Sequence, residues 1–321
     1  MTLSSTQRQL LITGALGLAA VVAPLVAPND YVVGTLARIC LYATLALGLN
    51  IVVGFAGLLD IGYVAFFGIG SYIYALLASP HFGLHLPFLL AVPLVVLATA
   101  LCGILIGAPT LRLGGDYLAI VTLGFGEITY LLLLNLDRPV NITNGASGII
   151  GIDPPAWLGY AARNNTHYYY LFLALLALVL VMSNRLQHSR IGWAWQAIRE
   201  DELAARTMGI NTTVAKLQAF AIGAAFAGFA GALLASWQRS VFPENFLFTE
   251  SINVLAMVII GGMGSLAGVI LGAAVIVALP EIFREFQAYR LLVFGLMLMV
   301  VMIFRPQGLL VPRQTKNAAN R

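Results

Sequence analysis

A run of about 20 apolar residues with hardly a charge in it suits a bilayer better than a globular core, and this chain is made of such runs almost from end to end. About ten can be marked out by hydrophobic pattern. They are Leu10–Pro28, Val32–Val53, Leu58–Ser79, Pro87–Ala108, Asp116–Leu136, Tyr168–Asn184, Leu217–Ser236, Ile252–Gly262, Leu266–Pro280 and Arg290–Phe304. Apolar residues make up 60% of the 321 and charged ones 9%, against about 25% charged in an ordinary soluble domain. In water such a chain would expose large apolar patches. The expected fold is therefore all-α: one polytopic membrane domain of eight to ten helices, with short or broken helices near its centre. The range of counts comes from the eighth and ninth runs. They are short, and Gly261-Gly262-Met263-Gly264 joins them, so they read either as two spans or as a re-entrant pair.

The first run follows a polar leader with one cation, Arg8. Secretory signals have a shorter apolar core and a small-residue cleavage site, so a retained helix is expected. Cys40 and Cys102 both fall inside apolar runs and read as small hydrophobes rather than a disulfide. The net charge of +4 carries no message about nucleic acid, since no basic patch interleaves with aromatics.

Basic loops stay on the cytoplasmic side of a membrane. With ten spans, alternate loops collect Arg8, Arg112, Arg185, Arg190, Arg199, Arg206, Lys216, Arg305, Arg313, Lys316 and Arg321, which is eleven of the 17 basic residues. Arg138, Arg163, Arg239, Arg284 and Arg290 fall on the other side. Both termini are expected inside. Two loops are long enough to hold structure. The outer one, 137–167, carries Asn144-Gly145-Ala146-Ser147-Gly148. The cytoplasmic one, 185–216, holds a Trp193–Met208 stretch without Pro or Gly, predicted to be one helix stopped by Gly209 in the left-handed conformation.

Small residues recur four apart at Gly264, Gly268 and Gly272, at Gly223, Ala227 and Gly231, and at Gly103 and Gly107. That spacing lines one helix face and lets two backbones come close. Polar groups inside apolar runs need a partner or a polar path. The stretch from Gly48 to Tyr63 sets Asn50 and Asp60 on either side of a break at Gly54 and Gly57. Such a break exposes backbone groups able to bind a small zwitterion or anion, or it is a tight cytoplasmic turn with Asp60 near a helix N-terminus. Val53-Gly54-Phe55-Ala56-Gly57 and Ile260-Gly261-Gly262-Met263-Gly264 look loosely alike, which can mark duplicated halves meeting at a midplane site. Glu127 lies mid-span with Thr122 five residues earlier, and reads as path lining or as a structural hydrogen bond. Asn50, Gly54, Gly57, Asp60, Tyr63, Thr122 and Glu127 are thus the candidate path residues.

The cytoplasmic run Ala197-Ile198-Arg199-Glu200-Asp201-Glu202-Leu203-Ala204-Ala205-Arg206-Thr207-Met208-Gly209 pairs small residues with charges, a form suited to docking in a partner's groove. Its acidic triplet argues against an anionic lipid surface. The plainer alternative is a solvated loop helix. No G-x-x-x-x-G-K-[ST], G-x-S-x-G or H-E-x-x-H motif occurs. His81 and His85 flank a turn before Pro87 and do not suggest a metal site. The chain has no visible means of hydrolysing ATP or of covalent chemistry, so no metal, cofactor or catalytic residue is expected.

Several of these segments together resemble the M-type inner-membrane permease of branched-chain amino acid ABC importers. They are GLNIVVGFAGLLDIGYVAFFGIGSY (48–72), LRLGGDYLAIVTLGFGEI (111–128), TNGASGI (143–149), GWAWQAIREDELAARTMGI (192–210), ESINVLAMVIIGGMGSLAG (250–268) and FRPQGL (304–309). Urea and amide importer permeases share these features. The resemblance implies a homologous second permease, two cytoplasmic subunits that bind ATP, and a periplasmic substrate-binding protein. It also implies a docking segment with an E-A-A-x-x-x-G core. Ala204, Ala205 and Gly209 fit that core with Leu203 in the Glu position and Glu202 one residue early. The docking candidates are Arg199, Glu200, Asp201, Glu202, Ala204, Ala205, Arg206 and Gly209, and the external-loop candidates are Asn144, Gly145, Ser147 and Gly148. An ion-coupled transporter using Glu127 or Asp60 is the competing class. An intramembrane enzyme would need a nucleophile–base pair that the sequence does not offer.

Overall fold

The computed structural model describes residues 20–27, 29–110, 115–157, 160–161, 164–282, 295–296, 299 and 308–310. Apart from a helical stretch at 20–26, the first predicted run lies outside the described residues, as does nearly all of the tenth.

The eight central runs all fold as helices. They are α1 (Asp30–Leu49), α2 (Val64–Leu77), α3 (Phe88–Thr110), α4 (Asp116–Asn135), α5 (Asn165–Gln187), α8 (Thr212–Gln238), α9 (Phe248–Gly261) and α10 (Leu266–Ile282). Between α5 and α8 lie two short helices, α6 (Arg190–Glu200) and α7 (Glu202–Thr207). Among the described residues, six segments are long and apolar enough to cross a membrane. The strands are two-residue pieces: β1 (Ile149–Ile150) pairs antiparallel with β4 (Ser240–Val241), and β2 (Ala156–Trp157) with β3 (Tyr160–Ala161).

The helices run back and forth between two ends. At one, Asn165 Nδ2 donates to Asp30 Oδ2 at 2.8 Å, Asp153 N–H to Ala78 O at 2.7 Å, and Tyr168 OH to Ser236 O at 2.9 Å. This is the Asp153 end. At the other, the α1–α2 connection, the start of α4, the 185–216 segment and the α9–α10 turn come together. This is the Arg199 end. Residues 308–310 also sit there, with Leu309 N–H donating to Ile260 O at 2.7 Å.

The order of helices from centre to rim follows from side-chain size. Along α8 the most apolar window is 83% buried, against 22% for α3. Glycines make the centre that tight. A Cβ on Gly228 would overlap the Thr99 side chain, and one on Gly70 would overlap the Gly228 backbone. The predicted stripes do the same: a Cβ on Gly231 would overlap the Phe67 carbonyl, and one on Gly103 would lie 2.7 Å from Ala224 Cβ, the membrane counterpart of a packed core. Gly264 falls in the α9–α10 turn and not on a helix. In the α9–α10 hairpin Gly268 lies against the Gly261 carbonyl and Gly272 against that of Met257. That pairing is antiparallel, and the eighth and ninth runs fold as two adjacent helices of 14 and 17 residues. Before α9 the chain dips inward from the Asp153 end through Pro243–Phe246, and the Phe246 ring meets Phe67 edge-on at 5.4 Å.

Two expectations need correction. The third run was expected to be helical from Leu58, but residues 58–63 are irregular and α2 begins at Val64. Gly57, at φ +69°, ends the preceding helix, and Asp60 Oδ1 then takes the Gly62 N–H at 3.0 Å. Nor is Trp193–Met208 one helix. Asp201 breaks it with an extended φ of −156° and caps α7, its carboxylate accepting from the N–H groups of Leu203 at 2.8 Å and Ala204 at 3.0 Å. A short acceptor at an N-cap outcompetes helix continuation there. Gly209 stops α7 at φ +87°, as predicted.

Candidate functional site at the Arg199 end

Helix α1 does not stop at Leu49. It widens into a π turn over Asn50–Phe55, a form that often marks functional sites. Two bonds wind the turn down: Ala56 N–H to Ile51 O at 3.1 Å and Leu58 N–H to Val52 O at 3.0 Å. The Asn50 side chain is fully buried. Its Oδ1 leaves the helix and accepts the backbone N–H of Gly264, in the α9–α10 turn, at 2.8 Å. This crossing needs Gly54, because a Cβ there would overlap Asn50 Oδ1. The two glycine-studded segments do meet, but at the Arg199 end of the bundle and not at its midplane.

The π turn is also the seat of the cytoplasmic-loop helices. Arg199 Nη1 donates to Gly54 O, and a Cβ on Gly57 would lie 2.8 Å from Arg199 Cγ. Behind Arg199, the α6–α7 segment is fixed to α8. Trp195 is fully buried and its Nε1–H donates to Ala215 O at 2.7 Å. Lys216 Nζ reaches Glu202 Oε2 at 2.6 Å with its side chain only 6% exposed. A buried ammonium is retained only when paired, so Glu202 pins α7 against α8. Arg206 adds a looser contact to Glu202 at 3.4 Å. A cavity of about 190 Å³ lies between these elements, lined by residues that include Gly57, Leu58, Asp116, Ile198, Glu202 and Lys216.

The predicted docking residues divide by orientation. Ala205 is buried against the chain itself, Arg199 and Glu202 hold α6 and α7 in place, and Asp201 is occupied as a cap. Glu200, Ala204, Arg206 and Gly209 face outward. The most exposed apolar side chains here lie outside the predicted docking set: Leu203 at 71%, Met208 at 83% and Trp193 at 57%. Their signal was present, since bulky apolar groups flank charges on a short loop helix, but its meaning depends on where the Asp201 break turns them.

Of the candidate path residues, most have buried, local partners. Tyr63 OH donates to Gly223 O at 2.9 Å. Thr122 Oγ1 donates to Ala119 O and accepts from Ile61 N–H, both at 3.1 Å. Asp60 is buried and Oδ2 has no hydrogen-bond partner among the described residues. Glu127 differs. It is half-buried on α4 and borders a small cavity with Ile61, Phe246, Phe248 and Ser251. In the outer loop, Asn144 takes a left-handed φ of +60° and its Nδ2 donates to Gly148 O at 2.8 Å. Gly145–Ser147 form one 3-10 turn, and Gly148 presses on the Val241 carbonyl. The motif thereby sets β1 against β4. Among the described residues no cluster of His, Cys, Asp or Glu could hold a metal.

Comparison with known proteins places this architecture. Residues 31–302 match the family described as "Branched-chain amino acid transport system / permease component". The chain is 44% identical to the high-affinity branched-chain amino acid transport system permease protein LivM of Salmonella typhimurium, over 95% of this chain and 76% of that protein, and equally so to LivM of Escherichia coli. It is 28% identical to the permease protein BraD of Pseudomonas aeruginosa over 84% of this chain and 91% of that protein. No solved structure matches it significantly. This multi-pass helical bundle, matched along most of its length, belongs to the branched-chain amino acid transport system permease family.

Proposed function

We propose that this chain is one transmembrane half of a binding-protein-dependent importer that carries leucine, isoleucine and valine across the cytoplasmic membrane, driven by ATP hydrolysed on partner subunits. The substrate reading rests on the 44% identity to the LivM proteins over 95% of the chain. In this reading the Arg199 end is cytoplasmic, in accord with Arg185, Arg190, Arg199, Arg206 and Lys216 on the 185–216 segment. A second permease subunit completes the membrane unit and a periplasmic binding protein delivers substrate at the Asp153 end.

The single observation that carries the coupling is the Arg199 bond to Gly54 O. Two short helices on the surface end are tied through it to the irregular turn of the most central helices. That turn is tied in turn to the α9–α10 loop by Asn50. A push on Leu203 and Met208 from a docked ATPase subunit would reach α1 and α9 by this route, a displacement of packed elements rather than a diffuse strain. Buried Asn50, Gly54, Asp60, Tyr63 and Thr122 belong to this joint, and Glu127 lines the path.

Cysteine cross-linking tests the docking. With the assembled complex, Met208→Cys joins to an ATPase subunit through a short bifunctional reagent, and His81→Cys at the opposite end does not. Equal labelling of the two positions, or none at Met208→Cys, would remove the proposal.

A further inference from the structure

Two charges at membrane depth have no place in the joint described above. Arg38 is the ninth residue of α1, roughly 12 Å along the helix from Asp30 at 1.5 Å per residue, and it is exposed on the bundle surface. Glu250 lies in the first turn of α9 and is half-buried. Neither stands out in the sequence, because Arg38 is one cation in a long apolar run and Glu250 follows a loop. The fold brings them to one side. Tyr42 stands one turn beyond Arg38 on the same face of α1, and its OH donates to Glu250 Oε2 at 3.4 Å. No ion pair to Arg38 forms among the described residues.

An ionised side chain at this depth faces water, a partner or a ligand, not hydrocarbon. Snorkelling would carry the guanidinium toward the Asp153 end, whereas Tyr42, and Glu250 with it, lie a turn deeper. The surroundings narrow the ligand. Leu247, the N-cap of α9 three residues before Glu250, is exposed. A planar guanidinium that can take a carboxylate with two parallel bonds, a carboxylate that can take an ammonium, and an open aliphatic side chain make a set complementary to one ligand class.

We propose that Arg38, Tyr42 and Glu250 form a station in the outer half of the path that holds an α-amino acid in transit. Arg38 takes its carboxylate, Glu250 its ammonium, and Leu247 at the start of α9 its aliphatic side chain. The proposal rests on the importer reading above. It adds that the face of α1 and α9 carrying these residues borders the path shared with the second permease.

The test uses the complete transporter in proteoliposomes with the binding protein, measuring ATP-dependent leucine uptake and ATP hydrolysis in parallel. Arg38→Gln and Glu250→Gln are each expected to lower uptake at least ten-fold, with hydrolysis changed less than two-fold and the second permease still copurifying. Tyr42→Phe, which removes only the hydrogen bond, should lower uptake two- to five-fold. If Arg38→Gln fails to insert, Arg38→Lys keeps the charge without the planar fork and should raise the KM for the loaded binding protein less than it lowers maximal uptake. Wild-type uptake in Glu250→Gln or Arg38→Lys overturns the station. Loss of the second permease from either Gln variant overturns it too, and assigns the pair to a clasp between subunits. Absence of ATP-dependent leucine uptake in the unsubstituted complex would instead refute the importer reading itself.

Discussion

Asn50 Oδ1 and the Gly264 N–H, 214 residues apart in the chain, are joined by a 2.8 Å hydrogen bond that locks the end of α1 to the α9–α10 turn. Asn50 cannot satisfy this N–H from within a regular helix. The π turn and the bare Cα of Gly54 let its carboxamide cross. Replacing Asn50 by Leu leaves a buried N–H unpaired, at a cost of about 1–3 kcal/mol. Gly54→Ala displaces the same carboxamide, so the two single variants should lower the melting temperature of the purified permease comparably. The double variant should fall little further, because both changes break one contact. Additive losses would separate the two residues.

Arg199 is where the joint meets the surface helices. A hydrogen bond from a charged donor contributes about 1.5–3 kcal/mol, which corresponds to a factor of about ten or more at 1.4 kcal/mol per decade. Arg199→Met should therefore reduce reconstituted leucine uptake by an order of magnitude while membrane insertion and ATPase copurification persist. Uptake equal to wild type would show that motion does not pass through Gly54.

Docking and packing separate along α7. Leu203 and Met208 project outward while Ala205 is buried. Leu203→Asp and Met208→Glu should weaken copurification of the ATPase subunits with little change in the thermal stability of the permease alone. Ala205→Trp overpacks the chain's own interior, at about 1–3 kcal/mol, and should lower permease stability even without partners. A stable Ala205→Trp permease would contradict the orientation described for α7.

The Lys216–Glu202 pair makes a sharper cycle. Removing only the carboxylate in Glu202→Gln strands a nearly buried ammonium, a class of change costing about 3–5 kcal/mol at a fully buried pair and less here, since Glu202 is 40% exposed. Combining it with Lys216→Met removes the stranded charge. The double variant should be more stable than Glu202→Gln in thermal unfolding, and the reverse order would show that Lys216 draws its support elsewhere.

These residues also explain what could be read from the chain in advance. Apolar runs of span length and glycines four apart report local facts, so the helices and their close approaches were legible. The Asp201 break was not, because nothing but a capping carboxylate interrupts Trp193–Met208, and an acidic residue also suits an exposed helix. Glycine-studded segments at 53–57 and 260–264 were visibly alike, but the depth at which they meet depends on Arg199 lying over Gly57. Ala205 looked available for a partner until the break fixed which side of α7 faces α8. The Arg38, Tyr42 and Glu250 grouping joins residues more than 200 positions apart, and its only local trace is one cation inside an apolar run.

The central claim is that work enters through partner subunits and not through an ion gradient. Radiolabelled leucine uptake into proteoliposomes holding both permeases and the ATPase subunits, with the loaded binding protein outside, tests it most directly. Uptake should require ATP in the compartment that the ATPase subunits face and persist when ionophores collapse proton and sodium gradients. Accumulation by the permeases without ATPase subunits, lost on adding ionophore, would contradict the account.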